Sequence, residues 1–119
     1  MSEATPDPRG LEVFEKILGR PHTKPLTGIR EFTINHLFAD IWSRPQLSHR
    51  DRSLITIALL AAQGRPDQLR DHIRGALSRG MTEDETLEIM VHVAHYAGWA
   101  AGTAGQLVAE AVFAEKTNT

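Results

Sequence analysis

Cysteine is absent from the 119 residues of this chain. Its absence excludes disulfides, thiolate metal ligands, cysteine nucleophiles and dithiol redox chemistry. A basic excess is lacking too, since 13 Lys and Arg stand against 15 Asp and Glu, for a formal net charge of -2. A protein needs positive charge to neutralise a phosphate backbone, so we expect no nucleic acid partner.

Long hydrophobic runs are also missing. The longest one, residues 54–62, is interrupted by Thr56 and is far too short to cross a bilayer. The first ten residues are polar and include no apolar segment typical of a signal peptide. We therefore expect a cytoplasmic protein with no membrane partner.

Apolar residues recur at helical spacing, and no useful length alternates with period two. We predict an all-α fold, a single-domain bundle of about six helices over residues 9–119, after a disordered tail over 1–8. Glycines and prolines at the segment ends, together with a capping box at Thr82 and Glu85, punctuate the pattern. The predicted helices span 9–18, 28–43, 48–63, 66–79, 82–97 and 100–115.

The third predicted helix is apolar on nearly all sides over residues 54–62. A helix that is hydrophobic all round is buried all round. So small a chain has little core of its own to bury it, which predicts that subunits pack against this helix in a homo-oligomer.

Three segments in the second half of the chain carry a resemblance: Asp51-Arg52-Ser53-Leu54-Ile55-Thr56-Ile57-Ala58, Gln68-Leu69-Arg70-Asp71-His72 and His92-Val93-Ala94-His95-Tyr96-Ala97-Gly98. They resemble the carboxymuconolactone decarboxylase family of the alkylhydroperoxidase-D-like superfamily. Earlier segments, Gly10-Leu11-Glu12-Val13 and Trp42-Ser43-Arg44-Pro45, match its decarboxylase branch, so the resemblance covers about residues 10–115.

The resemblance implies an all-helical protein that forms symmetric homo-oligomers, trimers or hexamers, without a metal or organic cofactor. It implies a carboxy-lyase of protocatechuate catabolism. The implied partner is a small carboxylated lactone, 4-carboxymuconolactone (γ-carboxymuconolactone). The implied products are β-ketoadipate enol-lactone and carbon dioxide.

The chain departs from the family at several positions. The peroxidase branch has a Cys-x-x-Cys pair where Arg65 and Gln68 stand, so its reductase chemistry is impossible here. The decarboxylase branch has Arg, Trp and Pro where this chain has Phe14, Phe38 and Ala100. These departures leave open a related lyase, isomerase or hydrolase for another cyclic lactone or ketone, or a non-catalytic helical assembly.

Decarboxylation of such a lactone needs an oxyanion donor, a proton donor and groups that hold a carboxylate. His72 is the first candidate, because it shares a helix face with Arg65 and Gln68 and imidazole donates hydrogen bonds and protons near neutral pH. The alternative is an ordinary surface histidine beside Asp71.

His92 and Tyr96 lie one turn apart on the fifth predicted helix. One interpretation makes His92 a second acid or base and Tyr96 a phenolic donor to the substrate. The other makes them a polar cluster or a subunit contact. A metal site from Glu88, His92 and His95 is a weaker alternative, because a single helix supplies all three ligands.

Arg52 and Arg65 are candidates for holding substrate carboxylates, since a guanidinium pairs with a carboxylate through two parallel hydrogen bonds. Salt bridges to neighbouring aspartates are the alternative. Gln68 and Trp42 are further substrate-binding candidates, and for Trp42 a place in the core or in an interface is the alternative.

Overall fold

The computed structural model of the chain describes residues 2–117, and the side chains of residues 2–115. Every regular element in that range is helical, which confirms the all-α class and the six predicted helical segments. The elements are α1 (Pro8–Leu18), α2 (Ile29–Phe32) continuing as a π-helix (Thr33–Ile41), α3 (His49–Gln63), α4 (Pro66–Ser78), α5 (Glu83–Ala97) and α6 (Trp99–Thr117).

The helix ends follow from local chemistry. Asp7 caps α1 by accepting a hydrogen bond from the Arg9 backbone, and Gly19 ends that helix in the left-handed region at φ 72°. In α5 the predicted capping box is present, with Thr82 Oγ1 and the Glu85 carboxylate each accepting a backbone N–H at 3.0 Å. These signals act within one turn, which is why the sequence predicts them well.

The second helix differs from the expected α-helix, because Thr33–Ile41 is a π-helix. Its i→i+5 bonding ends with the Trp42 backbone N–H donating to the Leu37 carbonyl at 2.9 Å. The wider turn keeps Ile34, Phe38 and Trp42, one at every fourth position, on the buried side. The sequence places Ile29 with Phe32, Leu37, Phe38, Ile41 and Trp42 in the apolar set of this helix, but Ile29 is 81% exposed.

The chain divides into two compact units, Met1–His49 and Arg50–Thr119. In the first, α1 packs on the π-helix so closely that a Cβ on Gly10 would overlap the Ile34 carbonyl oxygen. Residues 4–7 make hydrogen bonds to Leu26 and Asn35. The tail over 1–8 and the single domain over 9–119 stay predictions.

The second unit has its own core, drawn from α3 to α6 and centred on Ile57, Ile73 and Met90. In the single chain α3 buries one face only, while Ile55 and Leu59 are 48% and 54% exposed. A subunit that covers these side chains stays a prediction. No helix in residues 2–117 is long and apolar enough to cross a membrane.

Candidate active site

The predicted catalytic His72 lies on α4 and is partly buried, and a polar pair formed by Arg79 and Ser53 connects the end of α4 to α3. Arg79 follows His72 by seven residues and is the C-cap of α4. The Arg79 Nη2 donates a hydrogen bond of 2.7 Å to the Ser53 Oγ on α3. Ser53 is completely buried, and Arg79 is partly buried.

Burial lowers the pKa of His72 to about 4, the neighbouring Asp71 carboxylate opposes this shift, and the positive charge of Arg79 adds to it. The imidazole is therefore neutral at pH 7. A neutral imidazole donates an N–H hydrogen bond to a developing oxyanion without carrying an extra proton. This electrostatic environment suits an oxyanion donor better than a general acid.

Arg79 keeps its charge in spite of this setting. Burial lowers the pKa of Arg79, but a guanidinium remains protonated in proteins. The Ser53 hydroxyl accepts a hydrogen bond from this guanidinium and so helps to orient it. Sequence reasoning missed both residues. The spacing of seven from His72 was available as a signal for Arg79, but its contact with Ser53 joins positions 26 residues apart.

We expect the free energy of unfolding to fall by about 2 kcal/mol between pH 7 and pH 5, because of His72. The folded pKa near 4 lies below the ordinary value of 6.5, so in this window the unfolded chain binds a proton that the folded chain does not. Stability is thus full above pH 6.5 and is lost as the pH falls. Urea unfolding at both pH values measures the effect.

The control for this measurement is His72→Gln, which should remove most of the loss between pH 7 and pH 5. His22 acts in the same direction, because burial also lowers its pKa, so His22→Gln serves as the comparison. An unchanged pH dependence in His72→Gln would show that His72 does not titrate in this way.

The side chains of Arg65 and Gln68 make no hydrogen bond or ion pair with those of His72, Arg79 or Ser53 in the described structure. Both side chains are exposed on α4. Arg65 lines a cavity of about 260 Å³ between the α3–α4 turn and α6, whose other lining residues include Leu60, Leu69 and Val108. His72 does not line this cavity, although helical spacing places all three residues on one side of α4.

His92 lies in a different cavity, of about 490 Å³, between α3 and α5. Its ring stacks on Tyr96 with centroids 4.7 Å apart, and Tyr96 is 83% exposed. An ion pair between Arg50 and Glu85 lines the same cavity. His72 is not one of its lining residues, so the two predicted catalytic histidines do not share this cavity.

Two predicted substrate-binding residues lie elsewhere. Trp42 is buried in the core of the first unit, where its ring stacks on Phe38 at 5.6 Å and its carbonyl accepts a hydrogen bond of 2.9 Å from the His49 Nε2. Arg52 is half-buried near the start of α3, in the second unit.

Phe14, one of the positions at which the resemblance implies a departure from the decarboxylase branch, is a core aromatic. It is 4% exposed and meets Phe38 edge to face at 5.3 Å and His22 at 4.9 Å. The Arg20 guanidinium lies 5.4 Å from the centre of its ring. The Phe14 ring therefore packs in the core of the first unit, and the Arg20 cation lies within reach of its face.

The three residues considered for a metal site do not form one. Among the residues that the structure describes, no group of three or more His, Asp or Glu side chains is placed to hold a metal ion. His95 instead hydrogen-bonds to the Val91 carbonyl at 2.7 Å.

Comparison with known proteins identifies the family. Residues 28–111 match the Carboxymuconolactone decarboxylase family. The chain is 39% identical over 113 residues to 4-carboxymuconolactone decarboxylase of Acinetobacter baylyi, covering 88% of this chain and 84% of that protein. It is 35% identical over 94 residues to nitrosuccinic acid decarboxylase of Metarhizium robertsii, covering 77% of this chain and 64% of that protein. The chain therefore belongs to the carboxymuconolactone decarboxylase family.

Proposed function

We propose that this chain is a decarboxylase of 4-carboxymuconolactone that works without a cofactor and releases carbon dioxide and β-ketoadipate enol-lactone. The observation that carries the proposal is the 39% identity to a 4-carboxymuconolactone decarboxylase, because it extends over 88% of the chain. The buried polar group at His72 supports it, because it supplies the donor that this reaction needs.

The substrate carries its own electron acceptor, the conjugated lactone carbonyl. As the bond to the leaving carboxylate breaks, its electron pair moves through the ring double bond onto the lactone carbonyl and forms a dienolate. A proton then adds to the α carbon. A neutral His72 donates a hydrogen bond to the carbonyl oxygen as negative charge develops there. This hydrogen bond stabilises the transition state most in a site that excludes water.

The remaining predicted residues have supporting roles in this proposal. Arg52 and Arg65 attract the anionic substrate, and Gln68 contributes to its binding. His92 lines a cavity that His72 does not line, and its ring stacks on the exposed Tyr96. We therefore assign them a role in proton delivery across a subunit contact, in a trimer or hexamer whose partner covers the exposed apolar face of α3.

The test is a carbon dioxide and ultraviolet assay with substrate made in place. Protocatechuate dioxygenase and the following cycloisomerase generate 4-carboxymuconolactone, and the protein is then added with and without a chelator. We expect rapid carbon dioxide release that the chelator does not slow. Release no faster than in the protein-free sample would contradict the proposal.

Nitrosuccinate is the second candidate substrate. The 35% identity to a nitrosuccinic acid decarboxylase favours it, over 77% of this chain. The same carbon dioxide measurement with nitrosuccinate distinguishes the two substrates. Release from nitrosuccinate alone would retain the decarboxylase and change its substrate.

A further inference from the structure

A small cavity lies beside Arg65 in the second unit, between the turn that joins α3 to α4 and helix α6. We propose that this cavity binds a small acid with one carboxylate on an apolar ring, and that Arg65 holds the carboxylate. The inference goes beyond the proposed reaction, because His72 does not line this cavity and binding there involves no bond cleavage.

The walls of the cavity are apolar. Ala61, Leu69 and Gly105 form its buried part, and the partly buried Leu60 and Val108 complete the walls. The volume of about 260 Å³ is smaller than the range of about 300–1,000 Å³ that is usual for drug-sized ligands. A smaller molecule fits such a space, one with a single six-membered ring and one substituent.

Arg65 is the single charged residue among the described residues that line the cavity, and it is exposed. Over residues 2–115, its side chain has no hydrogen bond or ion pair with another side chain. The neighbouring Asp67 carboxylate lies 3.6 Å from the Arg70 guanidinium instead. The described chain thus supplies no carboxylate to Arg65, and a ligand can supply one in the geometry of two parallel hydrogen bonds.

The backbone of Arg65 is fixed next to the apolar walls. Gly64 turns the chain in the left-handed region at φ 67°. The Arg65 N–H then donates to the Leu60 carbonyl at 3.0 Å, and the Arg65 carbonyl accepts from the Leu69 N–H at 3.0 Å. Because Leu60 and Leu69 also line the cavity, these bonds hold the start of the arginine side chain beside it.

One cation beside apolar walls selects a ligand with a single negative charge. A ring packed against Leu69 and Val108 gains free energy from the hydrophobic effect, while its carboxylate pairs with Arg65 and stays in contact with water. A second carboxylate on the far side of the ring would enter the apolar part without a partner, and its desolvation would oppose binding. The expected ligands are therefore monocarboxylates and not dicarboxylates.

The first experiment titrates benzoate into the full-length protein while the methyl signals of Leu69 and Val108 are followed by ¹³C NMR. We expect saturable shifts at about millimolar benzoate. Benzyl alcohol has the same ring without the charge and should bind at least about threefold more weakly. Terephthalate has a second carboxylate opposite the first and should bind at least about tenfold more weakly. Tighter binding of terephthalate than of benzoate would show a general attraction of anions and would overturn the inference.

Arg65→Gln tests the contact with the carboxylate. It should weaken benzoate binding at least about threefold and leave benzyl alcohol binding unchanged, because the neutral alcohol does not need the cation. Arg30→Gln is the matched control, since it removes the same charge at an exposed position of α2 that does not line the cavity. Equal weakening by the two variants would assign the effect to net charge and contradict the role of Arg65.

Ala104→Leu tests the space itself. Ala104 is an exposed lining residue on α6, so a larger side chain there takes up part of the cavity. We expect at least about tenfold weaker benzoate binding, because the ring loses buried apolar area. Ala111→Leu, at an exposed position of α6 that does not line the cavity, should bind benzoate normally. Unchanged binding in Ala104→Leu, or no saturable shift in the unsubstituted protein, contradicts the inference.

These results do not depend on the proposed decarboxylation, because every one of them is a measurement of binding. If neither candidate substrate releases carbon dioxide, the proposed function fails. The benzoate titration still decides whether the cavity beside Arg65 is a binding site.

Discussion

Replacing His72 with alanine is expected to lower kcat for decarboxylation about 10²- to 10³-fold, the usual loss when one oxyanion donor is removed. KM should change little, because the donor acts on charge that develops only in the transition state. Steady-state carbon dioxide release over a range of substrate concentrations gives both constants. His72→Gln keeps an N–H donor and should recover part of the lost rate.

His36 is the matched control for His72→Ala. It lies exposed on the π-helix beside Asp40, at 3.4 Å, and outside the proposed site. His36→Ala should leave kcat and KM unchanged. Full turnover in His72→Ala would remove His72 from the mechanism.

The pH dependence of kcat separates an oxyanion donor from a general acid at His72. With a pKa of about 4, the imidazole is neutral throughout the range from pH 6 to pH 8. If His72 is a neutral donor, its titration adds no pH dependence to kcat over this range. A kcat that rises tenfold for each unit of falling pH would instead show that the protonated imidazole reacts.

The second large effect is expected on stability, from Gly10→Ala. A Cβ at this position would lie well inside the contact distance of the Ile34 backbone carbonyl oxygen, and backbone cannot move aside as a flexible side chain does. Separating α1 from the π-helix would open the core that contains Phe14 and Ile17. We expect a loss of about 3 kcal/mol or more in the free energy of unfolding, at the upper end for overpacking.

Helix propensity acts in the opposite direction at Gly10. Alanine is better than glycine inside a helix by about 1 kcal/mol, so without the close approach this substitution would stabilise the protein. Urea unfolding of the full chain measures the sum of both effects. Glu12→Ala, at an exposed position of the same helix, is the control and should stay within about 0.5 kcal/mol of the unsubstituted protein. An equal or higher stability of Gly10→Ala would show that the two helices separate without cost.

The candidate site was predictable to the extent that short motifs define it. The segment that ends in His72 carries the family resemblance, and the placement of His72 on a helix follows from local periodicity. The hydrogen bond between Arg79 and Ser53 was not predictable in this way, because Ser53 lies in another helix. The predicted pairing of His72 with Arg65 was based on helical spacing, which does not say which neighbouring helix covers each side chain.

Helical periodicity also gave a wrong prediction where tertiary packing determines which side of a helix is exposed. Helical spacing from the sequence predicts that Leu87, Met90, Val91 and Ala94 point inward on α5, but Val91 is 46% exposed. Met90, its neighbour, takes the buried position at 1% exposure. Periodicity identifies an apolar helix face to within one residue, and the contact with α6 decides which side of that face enters the core.

By itself, the sequence determined what depends on composition and on interactions within one helical turn. Lacking cysteine, it excluded thiol chemistry, and its caps, glycines and prolines determined where the helices begin and end. Tertiary structure alone decided the π-helical register, the close approach at Gly10 and the neutral state of His72. Each of these depends on what lies across the helix interface, and burial there changes the free energies of packing and of charge by more than any local preference.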